Sequence, residues 1–213
     1  PDNVVRYFVK ESAKAGIDVF RIFDSLNIIE NMEVAIEEVR NSNKICEGAI
    51  CYTNDVNDPK EQKYTLQYYI GLVKSLEKLG VNIIAIKEAS GDFNQIMNII
   101  NNKPNDFIVI SGDDAITLPL IYIGAEGVIS VIAQSHPEEY SNMVRFARDG
   151  KINEANEIHY KIYPLYEPIY IEGNPVGIKA CLELLGLCKS QVRLPLIKGS
   201  EKIKNQLKKI LTK

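Results

Sequence analysis

At 213 residues, with 46% hydrophobic and 25% charged side chains, the chain has the make-up of a folded globular protein, which excludes disordered, collagen-like and coiled-coil readings. Its 25 Lys and Arg nearly cancel 28 Asp and Glu, leaving a net charge of −3 and no broad positive field for nucleic acid. No apolar run approaches the roughly 18 residues of a membrane span and no signal pattern opens the chain, so a soluble, unsecreted, cytoplasmic protein acting on small molecules or protein surfaces is expected.

Residues 1 to 15 place Val4, Val5, Phe8, Val9 and Ala13 at helical spacing behind Pro1, Asp2 and Asn3, which supply capping side chains, and Gly16 marks a stop. Pro1, with no Met before it, reads as the start of a trimmed segment. Ile17 to Phe23 has the β-branched and aromatic content of a strand and ends in the turn residues Asp24 to Asn27. A helix over Asn31 to Val39 follows, then a strand over Cys46 to Tyr52 and a polar loop, TNDVNDP. The spacing predicts a long helix over 60–79, a strand over Val81 to Ile86, a helix over Asn94 to Ile100 and a strand over Phe107 to Ile110. A helix over 114–122, a strand over Gly127 to Ile132 and a helix over 137–148 complete five βα alternations.

Alternation of this kind requires parallel strands covered on both faces by the crossover helices. From about residue 151 the pattern becomes helical, over 151–169, 174–187 and 200–211, with Pro164, Pro168, Pro175 and Pro195 as interruptions. The expected architecture is therefore α/β: a partial (β/α) barrel of about five parallel strands over 1–150, and a C-terminal helical region over 151–213. A complete barrel takes at least about 200 residues for its eight units, so roughly three strands are missing.

Chemistry in such folds collects at the C-terminal ends of the strands. Those ends here carry Asp24 to Asn27, Tyr52 to Asp55, Lys87 to Asp92, Ser111 to Asp114, and Ser130. Lys87 follows the apolar run VNIIAI, where burial would make its amine nucleophilic; pairing with Glu88, Asp113 or Asp114 is the alternative. Asp113 and Asp114 precede a helix and read as caps, while Gly91 and Gly112 read as turn glycines. Tyr52 is either a proton relay or a packed strand tyrosine. His136 and His159 have no metal spacing, and Cys46, Cys51, Cys181 and Cys188 lack CxxC spacing and read as buried thiols; no metal and no cofactor is expected.

Two family resemblances meet near Lys87. IKEASGD (86–92), FIVISGDDAITLPL (107–120), GAEGVISV (124–131), NPVGIKA (174–180), ELLGL (183–187) and VRLPL (192–196) resemble dihydrodipicolinate synthase, within the N-acetylneuraminate lyase superfamily. That resemblance implies that Lys87 forms a Schiff base with pyruvate or another 2-keto acid, that Ser111 and Gly112 border the substrate pocket, and that the backbone of Ile129 lies beside the lysine. PDNVVRYFVK, AGIDVFRIFDSLN, NMEVAIEEV, GAICYT and the long helix ending in SLEKLG instead resemble the carboxyltransferase domain of pyruvate carboxylase and oxaloacetate decarboxylase. There the counterpart of Lys87 is a carbamylated metal ligand.

The two resemblances can be exchanged without a register shift at AIK (85–87), which implies a chimera with its seam near 84–88, most simply an engineered one. The carboxyltransferase metal set is incomplete, because its first-strand aspartate and its His-x-His have no counterpart here. The synthase relay of a Thr-Thr pair and two tyrosines is also missing, with Tyr52 alone at a comparable strand end. The resemblances thus imply a remnant imine-forming lyase of weak or absent turnover, with a non-catalytic scaffold or a biotin-dependent carboxyltransferase fragment as alternatives. Open sheet edges imply a homo-oligomer.

Overall fold

The structure is a computed structural model that describes residues 1–53, 58–81 and 84–212. Residues 54–57 of the TNDVNDP loop and residues 82–83 of the expected third strand lie outside the described residues. The chain forms two compact units, Pro1–Ile83 and Ile84–Lys213, dividing close to the point where the two resemblances meet.

The first unit runs α1 (Asp2–Lys14), β1 (Val19–Ile22), α2 (Glu30–Asn41), β2 (Ile45–Gly48) and α3 (Leu66–Lys78). β1 and β2 pair in parallel, from Val19 opposite Ile45 to Ile22 opposite Gly48. The helical apolar positions supply the core: Val9 of α1 and Val39 of α2 pack with Phe20, while Met32, Ile36, Leu76 and Val81 form a second cluster. Glu38 of α2 is buried but faces Arg6 at 3.3 Å and Lys10 at 3.6 Å, which offsets its desolvation. Two expectations shift. No side chain caps α1 at Pro1, and α3 starts at Leu66 instead of residue 60 because Thr65 Oγ1 accepts the Tyr68 amide at 3.2 Å. Before it, the Glu61 carboxylate accepts the Lys63 and Tyr64 amides, both at 2.8 Å, and holds that stretch in a turn.

The second unit runs β3 (Ala85–Glu88), α4 (Phe93–Asn102), β4 (Ile108–Ser111), α5 (Thr117–Tyr122), β5 (Gly127–Val128), α6 (Pro137–Arg148), α7 (Ile152–Ile162), α8 (Tyr166–Tyr170), α9 (Val176–Leu184) and α10 (Glu201–Leu211). Its sheet has the order β3-β4-β5, all parallel. The five expected strands are present and every pairing is parallel, but among the described residues they form a two-stranded and a three-stranded sheet instead of one. The C-terminal helices share one core with β3–β5: Val109 and Ile132 from the sheet side pack with Tyr140, Met143, Ile169, Ile178 and Leu207, all 1% exposed or less. Each such side chain contributes about 1.5–3 kcal/mol on burial. Among the described residues no helix is long and apolar enough to cross a membrane. The thiols of Cys46 and Cys181 are raised by burial, whereas Cys188 is exposed, so the reading of all four cysteines as buried thiols does not hold for Cys188.

One carboxylate fastens the 186–200 segment to α9. Glu183 accepts the Ser190 amide at 3.0 Å and the Ser190 hydroxyl at 2.7 Å, with Lys204 at 3.4 Å. Those bonds hold its pKa down at about 2, against an ordinary 4.5. Because the folded value is the lower one, the fastening is complete above about pH 4.5 and is lost as pH falls towards 2. Hydrogen exchange at the Ser190 amide is expected to accelerate across that interval, and Glu183→Gln should flatten the dependence.

Candidate active site

The register of the second sheet decides which side chains can work together. Lys87 stands opposite Ile110, and Ile110 opposite Gly127; Glu88, Ser111 and Val128 form the next row. Side chains alternate across a strand, so Lys87, Ile110 and Gly127 share one face, while Glu88, Ser111 and Val128 share the other. Burial agrees: Ile86, Val109 and Val128 face the helices and join the core, whereas Lys87 is exposed.

On the face that carries Lys87, Ala89 and Gly112 offer little or no side chain, while Ile110 stands directly opposite the lysine. A Cβ placed on Gly112 would lie 2.6 Å from Ala89 Cβ, 2.8 Å from Lys87 Cε and 3.0 Å from the Glu88 carbonyl oxygen, so the lysine stem runs directly over Gly112. The Gly112 amide donates to the Glu88 carbonyl at 2.7 Å, which extends the β3–β4 ladder past its last pair. A Cβ on Gly127 would meet nothing within 4 Å, leaving open space in the same row as the amine. Ile129 continues this arrangement: its amide donates to the Ser111 carbonyl at 2.9 Å, so its backbone borders the Gly112 level.

The carboxylates near Lys87 in sequence are otherwise engaged. Glu88 is 7% exposed and accepts the Ser90 amide and hydroxyl, both at 3.0 Å, and the Gln95 side-chain amide at 3.0 Å. Asp113 accepts the Ala115 amide at 2.9 Å. Asp114 caps no part of α5, which begins only at Thr117; its Oδ2 accepts the Val131 amide at 3.0 Å, the Ile132 amide at 2.9 Å and the Tyr170 hydroxyl. That pull on residues 131 and 132 ends β5 after two residues and starts the 3-10 turn Ile132–Gln134, where a strand to Ile132 was expected. Burial, and then the Asp114 charge it donates to, raise the Tyr170 phenol well above its ordinary range and keep it a donor. Among the described residues no carboxylate lies within ion-pair distance of Lys87, so the pairing alternative is not realised there.

The expected site residues therefore separate. Lys87 and Gly112 come together on one face, while the Ile129 amide is bonded to the carbonyl of Ser111, the residue before Gly112. Ser111 belongs to the opposite face: it is fully buried, donates to the Asp113 carbonyl at 3.0 Å and lies 2.9 Å from Thr117 Oγ1, so it reaches the Lys87 side only through its own carbonyl. Tyr52 lies in the first unit, beyond β2, 57% exposed, its ring centroid 4.9 Å from that of Tyr69. Lys87 is exposed where its position suggested burial, because it sits on the sheet face turned away from the helical core. His136 bonds Ser135 Oγ at 2.9 Å and His159 bonds the Tyr166 hydroxyl at 3.3 Å, each with its pKa lowered by burial. In the first unit, a groove of about 550 Å³ is lined by Lys10, Lys14 and Lys44, but each lysine already faces a carboxylate, Glu38, Glu11 and Asp18 in turn. Tyr170 is the residue that sequence reading misses; it lies 56 positions from Asp114, and no local pattern joins them.

The family model described as the dihydrodipicolinate synthetase family matches residues 65–213. The chain belongs to this family. Among its curated relatives, the 4-hydroxy-tetrahydrodipicolinate synthase of Flavobacterium psychrophilum is 49% identical over 126 residues, which is 59% of this chain and 43% of that protein. The corresponding protein of Phocaeicola vulgatus is 53% identical over 116 residues, 54% of this chain and 39% of its own length. The chain thus spans less than half the length of these relatives. Of the solved structures, the dihydrodipicolinate synthase of Thermotoga maritima superposes with a TM-score of 0.76 at 22% identity, covering 98% of this chain and 80% of that one. That of Methylacidiphilum fumariolicum superposes with a TM-score of 0.63 at 27% identity, over 100% of this chain and 69% of its own. The synthetase family match opens before α3, so this helix, which the sequence reading assigns to the carboxyltransferase-like half, falls inside the matched range.

Proposed function

We propose that the chain is an imine-forming lyase of the aldolase type, in which the Lys87 amine attacks the C2 carbonyl of pyruvate or another small 2-keto acid. The observation that carries this reading is the Lys87 face itself. A primary amine with no carboxylate within ion-pair distance, among the described residues, is carried on a stem that runs over Gly112, on the face it shares with Ile110 and Gly127. The neutral amine adds to the carbonyl to give a carbinolamine, which loses water to give the imine; loss of a methyl proton then leaves an enamine whose carbon attacks an aldehyde. Bonds balance without a cofactor or metal, and none is invoked. Support for the ligand class comes from a family structure, the chloride-inhibited synthase of Acinetobacter baumannii complexed with pyruvate, to which this chain is 21% identical. Aspartate semialdehyde is the proposed aldehyde partner and lysine biosynthesis the proposed setting, in keeping with the relatives' activity name.

We further propose a two-part origin in which residues 1 to about 87 derive from a carboxyltransferase-like barrel, supported by the motifs of that half and the boundary between units at 83 and 84, although the family match already opens at residue 65. The strand edges of β3 and β5, each paired on one side among the described residues, are the proposed surfaces of a homo-oligomer.

Deuterium exchange tests the reading without an aldehyde. An imine that interconverts with its enamine replaces the pyruvate methyl protons with deuterium in D2O, which proton NMR follows directly. The exchange should be abolished in Lys87→Ala. Exchange at the rate of free lysine in solution would contradict the proposal.

A further inference from the structure

Asp114 has an arrangement that the imine chemistry leaves unexplained. It is 1% exposed, three donors converge on Oδ2, and Oδ1 is buried with no hydrogen-bond partner among the described residues. Its own backbone carbonyl accepts the Tyr140 hydroxyl at 2.9 Å. The titratable groups around it are Asp113 and the phenols of Tyr140, Tyr166 and Tyr170. A buried carboxylate with one orphaned oxygen is a poor source of stability, because the desolvation of that oxygen is not offset. What it does supply is a fixed point between three segments.

Those segments are the ones that shape the lysine's surroundings. Two residues before Asp114 is Gly112, over which the Lys87 stem runs. Two residues before Val131 is Ile129, whose amide is bonded to the Ser111 carbonyl. Tyr170 belongs to α8, in the helical C-terminal region. One carboxylate oxygen therefore ties the β4 end, the β5 end and α8 to a common height. We propose that Asp114, held by the Tyr170 hydroxyl, is a positioning residue for the Lys87 amine, so that the C-terminal helices set the geometry of imine formation from behind the sheet. The proposal rests on Lys87 being the imine-forming amine.

The test compares the full-length chain with Tyr170→Phe, Asp114→Asn and Tyr140→Phe. Three quantities are read in each: the rate of borohydride trapping against pyruvate concentration, hydrogen exchange at Val131 and Ile132, and acetylation of Lys87 relative to the exposed Lys198 by acetic anhydride. Tyr170→Phe should speed exchange at both amides by about tenfold and slow trapping at saturating pyruvate by about tenfold, with the half-saturating concentration unchanged. The Lys87 to Lys198 acetylation ratio should shift with it, and Asp114→Asn should move all three readings further. Tyr140→Phe loses its bond to the backbone carbonyl and only a weaker interaction with the carboxylate, so it should lower the melting temperature and shift the acetylation ratio far less than Tyr170→Phe. Should Tyr140→Phe and Tyr170→Phe alter trapping and acetylation equally, Asp114 is merely structural and the proposal is overturned, as it is when Tyr170→Phe changes neither exchange nor acetylation. Absence of trapping in the unsubstituted chain, with the acetylation ratio still shifted by Tyr170→Phe, would remove the imine reading and leave the positioning intact.

Discussion

Lys87→Arg is expected to reduce pyruvate-dependent borohydride trapping to background, a fall of at least about 10³-fold, while leaving the fold in place. The charge and the length of the stem are nearly kept, but a guanidinium stays protonated at any working pH and offers no neutral primary amine to a carbonyl. The contrast separates chemistry from electrostatics, because an anion site that merely holds pyruvate's carboxylate would survive the change. Lys87 is exposed and makes no ion pair among the described residues, so the substitution removes no buried contact and its effect on stability should stay within about 0.5 kcal/mol. Trapping and thermal unfolding, measured side by side, distinguish these outcomes.

Gly112→Ala is expected to produce both a structural and a chemical loss. The new methyl would sit 2.6 Å from Ala89 Cβ and 3.0 Å from the Glu88 carbonyl, two atoms that cannot swing aside, and 2.8 Å from Lys87 Cε, which can. Relief requires β4 to move off β3 or the lysine stem to leave its path. Overpacking of this kind costs about 1–3 kcal/mol, and displacing a reacting group by about 1 Å costs about 10²-fold in rate. Denaturant unfolding should register the first loss and trapping at saturating pyruvate the second. A fully active and fully stable variant would show that the lysine does not lie over Gly112.

How far the sequence carries can be followed residue by residue. The α6 helix is legible to its ends, because Pro137 opens it and Gly150, with φ of +74°, follows its close. Lys87 stands out in the sequence as the candidate nucleophile, since an amine at the end of an apolar strand is uncommon and its surrounding motif is dense. The role of Ser111 is not legible, because the face it occupies depends on which residue of β3 it meets, and the pairing of Glu88 with Ser111 is a fact of register, not of local pattern. The short β5 has the same origin: its apolar run extends to Ile132, but a carboxylate 17 and 18 residues earlier captures the amides of Val131 and Ile132. For α3, the helical periodicity extends back to residue 60, and the hydroxyl of Thr65 and the carboxylate of Glu61 decide the start locally. Polar bonds thus shift the ends of β5 and α3 and register decides Ser111, while apolar periodicity and β-branched content place the five strands within ranges that overlap the observed ones.

Borohydride reduction of the unsubstituted chain in the presence of pyruvate, followed by digestion and peptide mass spectrometry, bears most directly on the central claim. The account predicts a reduced pyruvate adduct on the peptide carrying Lys87, absent without pyruvate and absent from the other lysine peptides at the same exposure. An unmodified Lys87, or adducts spread evenly over the exposed lysines, would contradict it.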